Sequence, residues 1–160
     1  MKKFCPKKQS FFPGFSLIEL LVVVTITGIL FGVGVAKYTD FNRSQILEQA
    51  AQELKNNLRL AQTKAASGEK PVGCTGGLDG YQVSFSLPRT YQIQAKCGGS
   101  LVGTPNIFNL PSVLEFSSLP SPILFKVLAQ GTDLNNDLTI SLSAFGKTKT
   151  VSVTKQGKIE

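Results

Sequence analysis

Three hydrophobic patterns follow one another along the chain. An apolar stretch covers residues 15–36 and contains one charged residue, Glu19. Over residues 38–66, apolar positions recur at steps of three and four, which predicts an amphipathic helix. After Pro71 the period becomes two, which predicts β-strands.

The apolar stretch is long enough to cross a membrane. About 21 residues, from Phe15 to Val35, form a helix of about 31 Å, the thickness of a hydrocarbon core. An ionised acid at membrane depth costs ~2.5–3.5 kcal/mol, so we expect Glu19 to have a partner. The spacing of Gly28 and Gly32 permits close helix approach, although glycine is also common in membrane helices.

The two helical patterns join without a break. No Pro or Gly lies between Ala36 and Ser67, and Gly68 provides a helix stop. One continuous helix is therefore predicted, with a membrane half and an amphipathic half. The apolar stripe of the second half comprises Leu47, Ala51, Leu54, Leu58, Ala61 and Ala65.

Period-two segments fill the rest of the chain. Pro88-Arg89 lies between the first two segments, which predicts a hairpin. One face of the strands is polar, so we expect an antiparallel sheet that covers its other face with the helix stripe, an α+β domain. The predicted strands lie near residues 81–86, 91–96, 114–116, 123–127, 138–143 and 151–153.

The net charge of +7 gives no support for nucleic-acid binding. Lys2, Lys3, Lys7 and Lys8 precede Gly14, and without them the charge is about +3. These lysines also keep the amino end of the apolar stretch in the cytoplasm, so the remainder faces the periplasm or the cell exterior.

Composition also argues against catalysis and against a cofactor. The chain has no His, the commonest general base and metal ligand. It also lacks a Gly-x-Ser-x-Gly elbow and a phosphate-binding glycine loop. We therefore predict that the protein is not an enzyme and uses no cofactor.

Two cysteines follow the helix. We expect Cys74 and Cys97 to form a disulfide, which suits an oxidising exterior, with two unpaired thiols as the alternative. Cys5 lies before the apolar stretch. Two cysteines without His do not predict a metal site.

Asp133, Asn135 and Asp137 have the spacing of a calcium loop. Leu138 stands where such a loop needs Gly, and Ala144 stands where it needs a bidentate Glu. Asn and Asp also form ordinary turns. We therefore expect a turn here and predict no metal, with a calcium site as the weaker alternative.

The residues before and within the apolar stretch resemble a known processing motif. Residues 14–20 read Gly-Phe-Ser-Leu-Ile-Glu-Leu, which is similar to the motif of type IV prepilins and type II secretion pseudopilins. This resemblance implies cleavage by a prepilin peptidase between Gly14 and Phe15 and methylation of the new Phe15 amine. It also implies that Glu19 guides assembly by pairing with the amino terminus of a neighbouring subunit.

Two alternatives remain for the same stretch. A conventional signal peptide would be cut after Gly34-Val35-Ala36, and a plain single-pass anchor would not be cut at all. Neither gives Glu19 a role. The prepilin interpretation divides the chain into a leader (1–14), a filament-core helix half (15–36), an amphipathic half (37–67) and a sheet domain (68–160).

A second resemblance concerns the later part of the chain. The segment Leu54–Gln62 and the ending from Thr139 to Ile159 resemble GspH/FimT-type minor pseudopilins. This implies a minor pseudopilin or minor pilin that is bound to the bacterial inner membrane and enters a filament. Its partners would be other subunits, the peptidase, the assembly platform and membrane lipid.

An alternative function is a pilus-tip or competence-type subunit that contacts DNA or a surface through a basic face. That face would comprise Arg89, Lys96, Lys126, Lys147, Lys149, Lys155 and Lys158. Scattered solvated charges are the other interpretation of this set. The sequence leaves open the filament system, the neighbouring subunits and the number of membranes in the envelope.

Overall fold

The computed structural model describes residues 14–160, with side chains described outside residues 33–36. The chain forms two units, one that ends at Asp40 and one that comprises Phe41–Glu160. The predicted leader and Cys5 lie outside the described residues, apart from Gly14.

One helix, α1, runs through Leu17–Ala66 and contains 50 residues. It ends where the sequence predicts, because Gly68 adopts a φ of +66° and its N–H bonds the carbonyl of Ala65 at 3.1 Å. The N–H of Glu69 bonds the carbonyl of Lys64 at 3.2 Å. These bonds satisfy carbonyl groups that a helix end leaves unpaired.

Seven strands form two antiparallel sheets within the second unit, where a single sheet was expected. The four-stranded sheet has the order β3-β2-β1-β5, and the three-stranded sheet has the order β4-β6-β7. The strands are β1 (Leu78–Ser86), β2 (Thr90–Cys97), β3 (Ser100–Asn109), β4 (Glu115–Phe116), β5 (Ile123–Lys126), β6 (Leu138–Ala144) and β7 (Lys147–Val153). A short 3₁₀ turn, Val127–Ala129, follows β5.

The predicted helix stripe forms the centre of the core. All six stripe residues are buried, together with Ala50. They meet the inward faces of both sheets in one hydrophobic cluster, which confirms the α+β class. The largest fully buried side chains on the sheets and connecting loops are Tyr91, Phe125, Leu114, Ile123, Ile140, Leu142, Val83, Val151 and Val153.

Polar bonds hold the helix in register on the sheets. Asn57 Nδ2 donates to Tyr91 Oη at 2.7 Å, and Gln62 Nε2 donates to the carbonyl of Gly157 at 2.9 Å. Tyr81 Oη donates to the carbonyl of Glu69 at 2.9 Å, just beyond the helix end. The carboxy-terminal part of the helix is therefore held by directed bonds as well as by apolar packing.

Candidate functional site

The amino-terminal junction, residues 14–20, contains the start of α1. Gly14, Phe15 and Ser16 lie before the helix. The N–H of Glu19 donates to Ser16 Oγ at 3.2 Å, and the N–H of Leu20 donates to the Ser16 carbonyl at 3.2 Å. Ser16 is therefore the N-cap of the helix.

The sequence contained a signal for this cap that we did not use. Ser16 is followed by Glu19 three residues later, directly before an apolar run, and that pattern is a capping box. Glu19 thus lies in the first turn, where the helix dipole and free amide groups favour a negative charge. No described contact joins its side chain to another charged group.

Within the part of the chain that the structure describes, nothing covers the apolar half of α1. An 18-residue window has a mean hydropathy of 2.4, and none of it is buried. Among the bulkiest side chains, Leu17 is 82% exposed and Phe31 is 75% exposed. Such a surface requires lipid or other apolar helices around it.

The hydroxyl groups within this apolar half bond to the helix itself. Thr25 Oγ1 lies 3.1 Å from the carbonyl of Leu21 and 2.9 Å from that of Val22. Thr27 Oγ1 donates to the carbonyl of Val23 in the same way. These bonds remove the cost of placing a hydroxyl in hydrocarbon.

Gly28 and Gly32 leave open space on the helix surface. A Cβ atom added at either position would meet nothing within 4 Å. The spacing of four residues puts both on one side of the helix, where a second helix can approach closely. The structure therefore leaves this side available, as the Gly-x-x-x-Gly interpretation requires.

Cys74 and Cys97 form a disulfide, as the sequence predicted. Their sulfur atoms are 2.11 Å apart and their Cα atoms are 5.8 Å apart. Cys97 ends β2, and Cys74 lies in the connection between α1 and β1. The bond therefore ties the chain that leaves the helix to the four-stranded sheet.

The Asp133–Asp137 segment forms a turn that is held by its carboxylates. Asp133 Oδ1 accepts the N–H of Leu124 at 2.8 Å, and Asp137 Oδ1 accepts the N–H of Lys155 at 3.0 Å. A cavity of about 380 Å³ adjoins the segment. Within residues 14–160, no group of three or more His, Cys, Asp or Glu side chains is placed to hold a metal ion.

The cations of the alternative binding face are distributed over several elements. Lys96 and Lys126 flank Gly80 across the four-stranded sheet, on β2 and β5. Arg89 donates to the carbonyl of Ser112 at the β1–β2 turn. These three cations therefore lie on different elements from the β7 lysines.

The lysines near the carboxyl end engage neighbours of their own. Lys149 Nζ lies 2.7 Å from Glu48 Oε2, and this hydrogen bond, with one from Gln52, lowers the pKa of Glu48. Lys147 Nζ donates to Ser44 Oγ at 2.6 Å, and Lys158 pairs with Glu160. Each of these three lysines therefore has a partner of its own within the described residues.

Comparison with known proteins supports the amino-terminal resemblance. Residues 13–35 match the prokaryotic N-terminal methylation motif, which is typical of type IV pilins and pseudopilins. No solved structure matches the chain. The motif and the exposed apolar helix fit a single-pass protein anchored in a membrane.

Proposed function

We propose that this chain is a minor pseudopilin or minor pilin, a structural subunit that polymerises through the apolar half of α1. The observation that carries the proposal is the coincidence of the methylation motif with an apolar helix that the described residues leave exposed. The chain would act by assembling into a filament, with its second unit exposed on the filament surface.

Processing would create the assembly site. Hydrolysis of the Gly14–Phe15 bond removes the basic leader and leaves a cationic amine on Phe15. Phe15 lies four residues before Glu19, at the start of α1, so a modest axial shift would bring the amine of one subunit beside Glu19 of the next. That pairing offsets the cost of the buried carboxylate.

The minor-subunit assignment rests on the sequence pattern of Leu54–Gln62 and of the carboxy-terminal strands. The disulfide between Cys74 and Cys97 supports an oxidising location for the second unit, in the periplasm or outside the cell. The partners in this proposal are other pilin-type subunits, the prepilin peptidase, the membrane assembly platform and lipid.

Intact mass and amino-terminal sequencing of the mature protein test the proposal. The expected chain starts at Phe15 and carries the mass of one added methyl group. A start at Lys37 would identify a conventional signal peptide, and an untrimmed chain would identify a plain anchor. Both results would refute the proposed processing.

Membrane fractionation provides the accompanying measurement. The mature chain should remain in the membrane fraction and should be recovered with sheared filaments when the assembly system is expressed. Recovery in membranes but never in filaments would refute the polymerisation step while leaving the anchor intact.

A further inference from the structure

Ser16 holds the first turn of α1 with both its side chain and its backbone. Its hydroxyl accepts the Glu19 N–H and its carbonyl accepts the Leu20 N–H, each at 3.2 Å. Without the hydroxyl, an amide group of the first turn loses its partner. At the edge of the hydrocarbon, water replaces that partner less readily than in bulk solvent, so the bond matters more than on a helix in water.

The Ser16 cap lies directly after the Gly14–Phe15 peptide bond. Gly14 and Phe15 lie before the helix, and α1 begins at Leu17. Peptide bonds outside regular structure are the ones that peptidases reach most readily. The cap therefore separates an accessible bond between Gly14 and Phe15 from a regular helix directly after it.

We propose that Ser16 is a positioning residue for both processing and assembly, an inference that rests on the proposed function. It fixes the helix start directly after the Gly14–Phe15 bond, so that the bond lies at a set distance from a regular helix, and it holds Glu19 in the first turn. In the hydrolysis, the hydroxyl of water joins the Gly14 carbonyl carbon and a proton goes to the Phe15 nitrogen. Ser16 takes no part in these bond changes.

The role of the cap can be separated from the charge of Glu19. A capping box functions with Gln as well as with Glu at its last position. Glu19→Gln therefore keeps the geometry of the first turn and removes the charge. Ser16→Ala does the reverse, because it removes the cap and keeps the charge.

The test uses the full chain with a prepilin peptidase in membranes and follows the initial rate of Gly14–Phe15 hydrolysis by mass spectrometry. Ser16→Ala should slow hydrolysis roughly fivefold, the population change that loss of one cap produces. Ser16→Thr and Ser16→Asn, which also cap helices, should stay within about twofold of the unaltered chain. Glu19→Gln should be hydrolysed normally but should fail to enter filaments.

A second readout reports on the cap directly. Exchange of the Glu19 amide proton in bilayer-like detergent should be faster in Ser16→Ala and unchanged in Ser16→Thr. Formation of the disulfide between Cys74 and Cys97, seen as a gel shift on reduction, shows that the second unit folds in each variant.

Two results would overturn the inference while leaving the proposed function in place. One is normal hydrolysis and normal filament incorporation of Ser16→Ala. The other is that Ser16→Thr and Ser16→Asn are as slow as Ser16→Ala, which would mean that the peptidase recognises serine itself. If the unaltered chain is not hydrolysed at Gly14–Phe15, the proposed function fails and the inference fails with it.

Discussion

Asn57 on the helix donates a hydrogen bond of 2.7 Å to the hydroxyl of Tyr91, a buried residue near the start of β2, an inner strand of the four-stranded sheet. Buried hydroxyl groups require such partners. This bond therefore fixes how far along its axis the helix lies on the sheet, which apolar packing alone specifies poorly.

Asn57→Ala should lower the free energy of unfolding by roughly 0.5–1.5 kcal/mol, because the Tyr91 hydroxyl would lose its partner. Asn56→Ala is the matched control, since Asn56 is exposed one position earlier on the same helix. Alanine there should be neutral or slightly stabilising. Denaturant unfolding of the detergent-solubilised chain measures both, and equal losses would contradict the assigned bond.

Alkaline pH should destabilise the second unit through its buried tyrosines. Burial raises the pKa of Tyr91, against the hydrogen bond from Asn57. A raised pKa means that the stabilisation is complete below the unfolded value of about 10 and is lost as the pH rises through the folded value.

Burial raises the pKa of Tyr81 as well, so the two tyrosines share this effect. Tyr91→Phe should therefore reduce, without abolishing, the fall in stability that begins at about pH 10 and continues at higher pH. Tyr81→Phe combined with it should reduce the fall further. Unfolding curves at a series of pH values provide the measurement, and an unchanged pH slope in Tyr91→Phe would contradict the assignment.

Loss of the disulfide should lower the free energy of unfolding of the second unit by about 3 kcal/mol. The bond restricts the unfolded chain over a separation of 23 residues. The double variant Cys74→Ser, Cys97→Ala measures this by denaturant unfolding. The unaltered chain in reductant should lose a similar amount. A loss below about 1 kcal/mol would show that the connection after α1 is already ordered without the bond.

Two glycine positions should respond very differently to alanine. A Cβ on Gly80 would lie 1.9 Å from the carbonyl oxygen of Phe125. Gly80→Ala should therefore lower the free energy of unfolding by at least about 3 kcal/mol. Gly146 has a φ of +73° but open space around it, so Gly146→Ala should cost only about 1 kcal/mol. Similar thermal shifts for the two variants would contradict the close approach of β1 and β5.

Glu19→Ala should leave the protein in the membrane and impair its incorporation into filaments. The span loses a charge and gains apolar character, so insertion becomes easier. The pairing with a neighbouring amine is lost at the same time. Filament yield relative to membrane-bound subunit measures the effect, and normal incorporation would contradict the pairing.

The sequence predicted the helix and most strands because each carries a clear period. Residues 47–65 repeat at steps of three and four, and β1, β2 and β6 alternate, so their buried faces are visible without coordinates. The pairing of Cys74 with Cys97 followed from their number and location. These features depend on local pattern, which a sequence displays directly.

Strand β3 and the division into two sheets were not predicted. Gly103 and Pro105 interrupt β3, and the strand lies at a sheet edge with little of either face buried, so no alternation marks it. Sheet division depends on which strands pair at long range. That pairing is a property of the whole core and not of any strand alone.

The uncovered apolar half of α1 has an energetic consequence for any polymer built from it. Hydrocarbon tails and neighbouring leucine or valine side chains are almost equally apolar, so transfer from bilayer to helix bundle gains little from water exclusion. The specific arrangement of the helices must then come from close contact at Gly28 and Gly32 and from the charge of Glu19 at the start of α1. Subunits of such a polymer can return to the bilayer without exposing their apolar helices to water. The membrane can then supply the same subunits for another round of assembly.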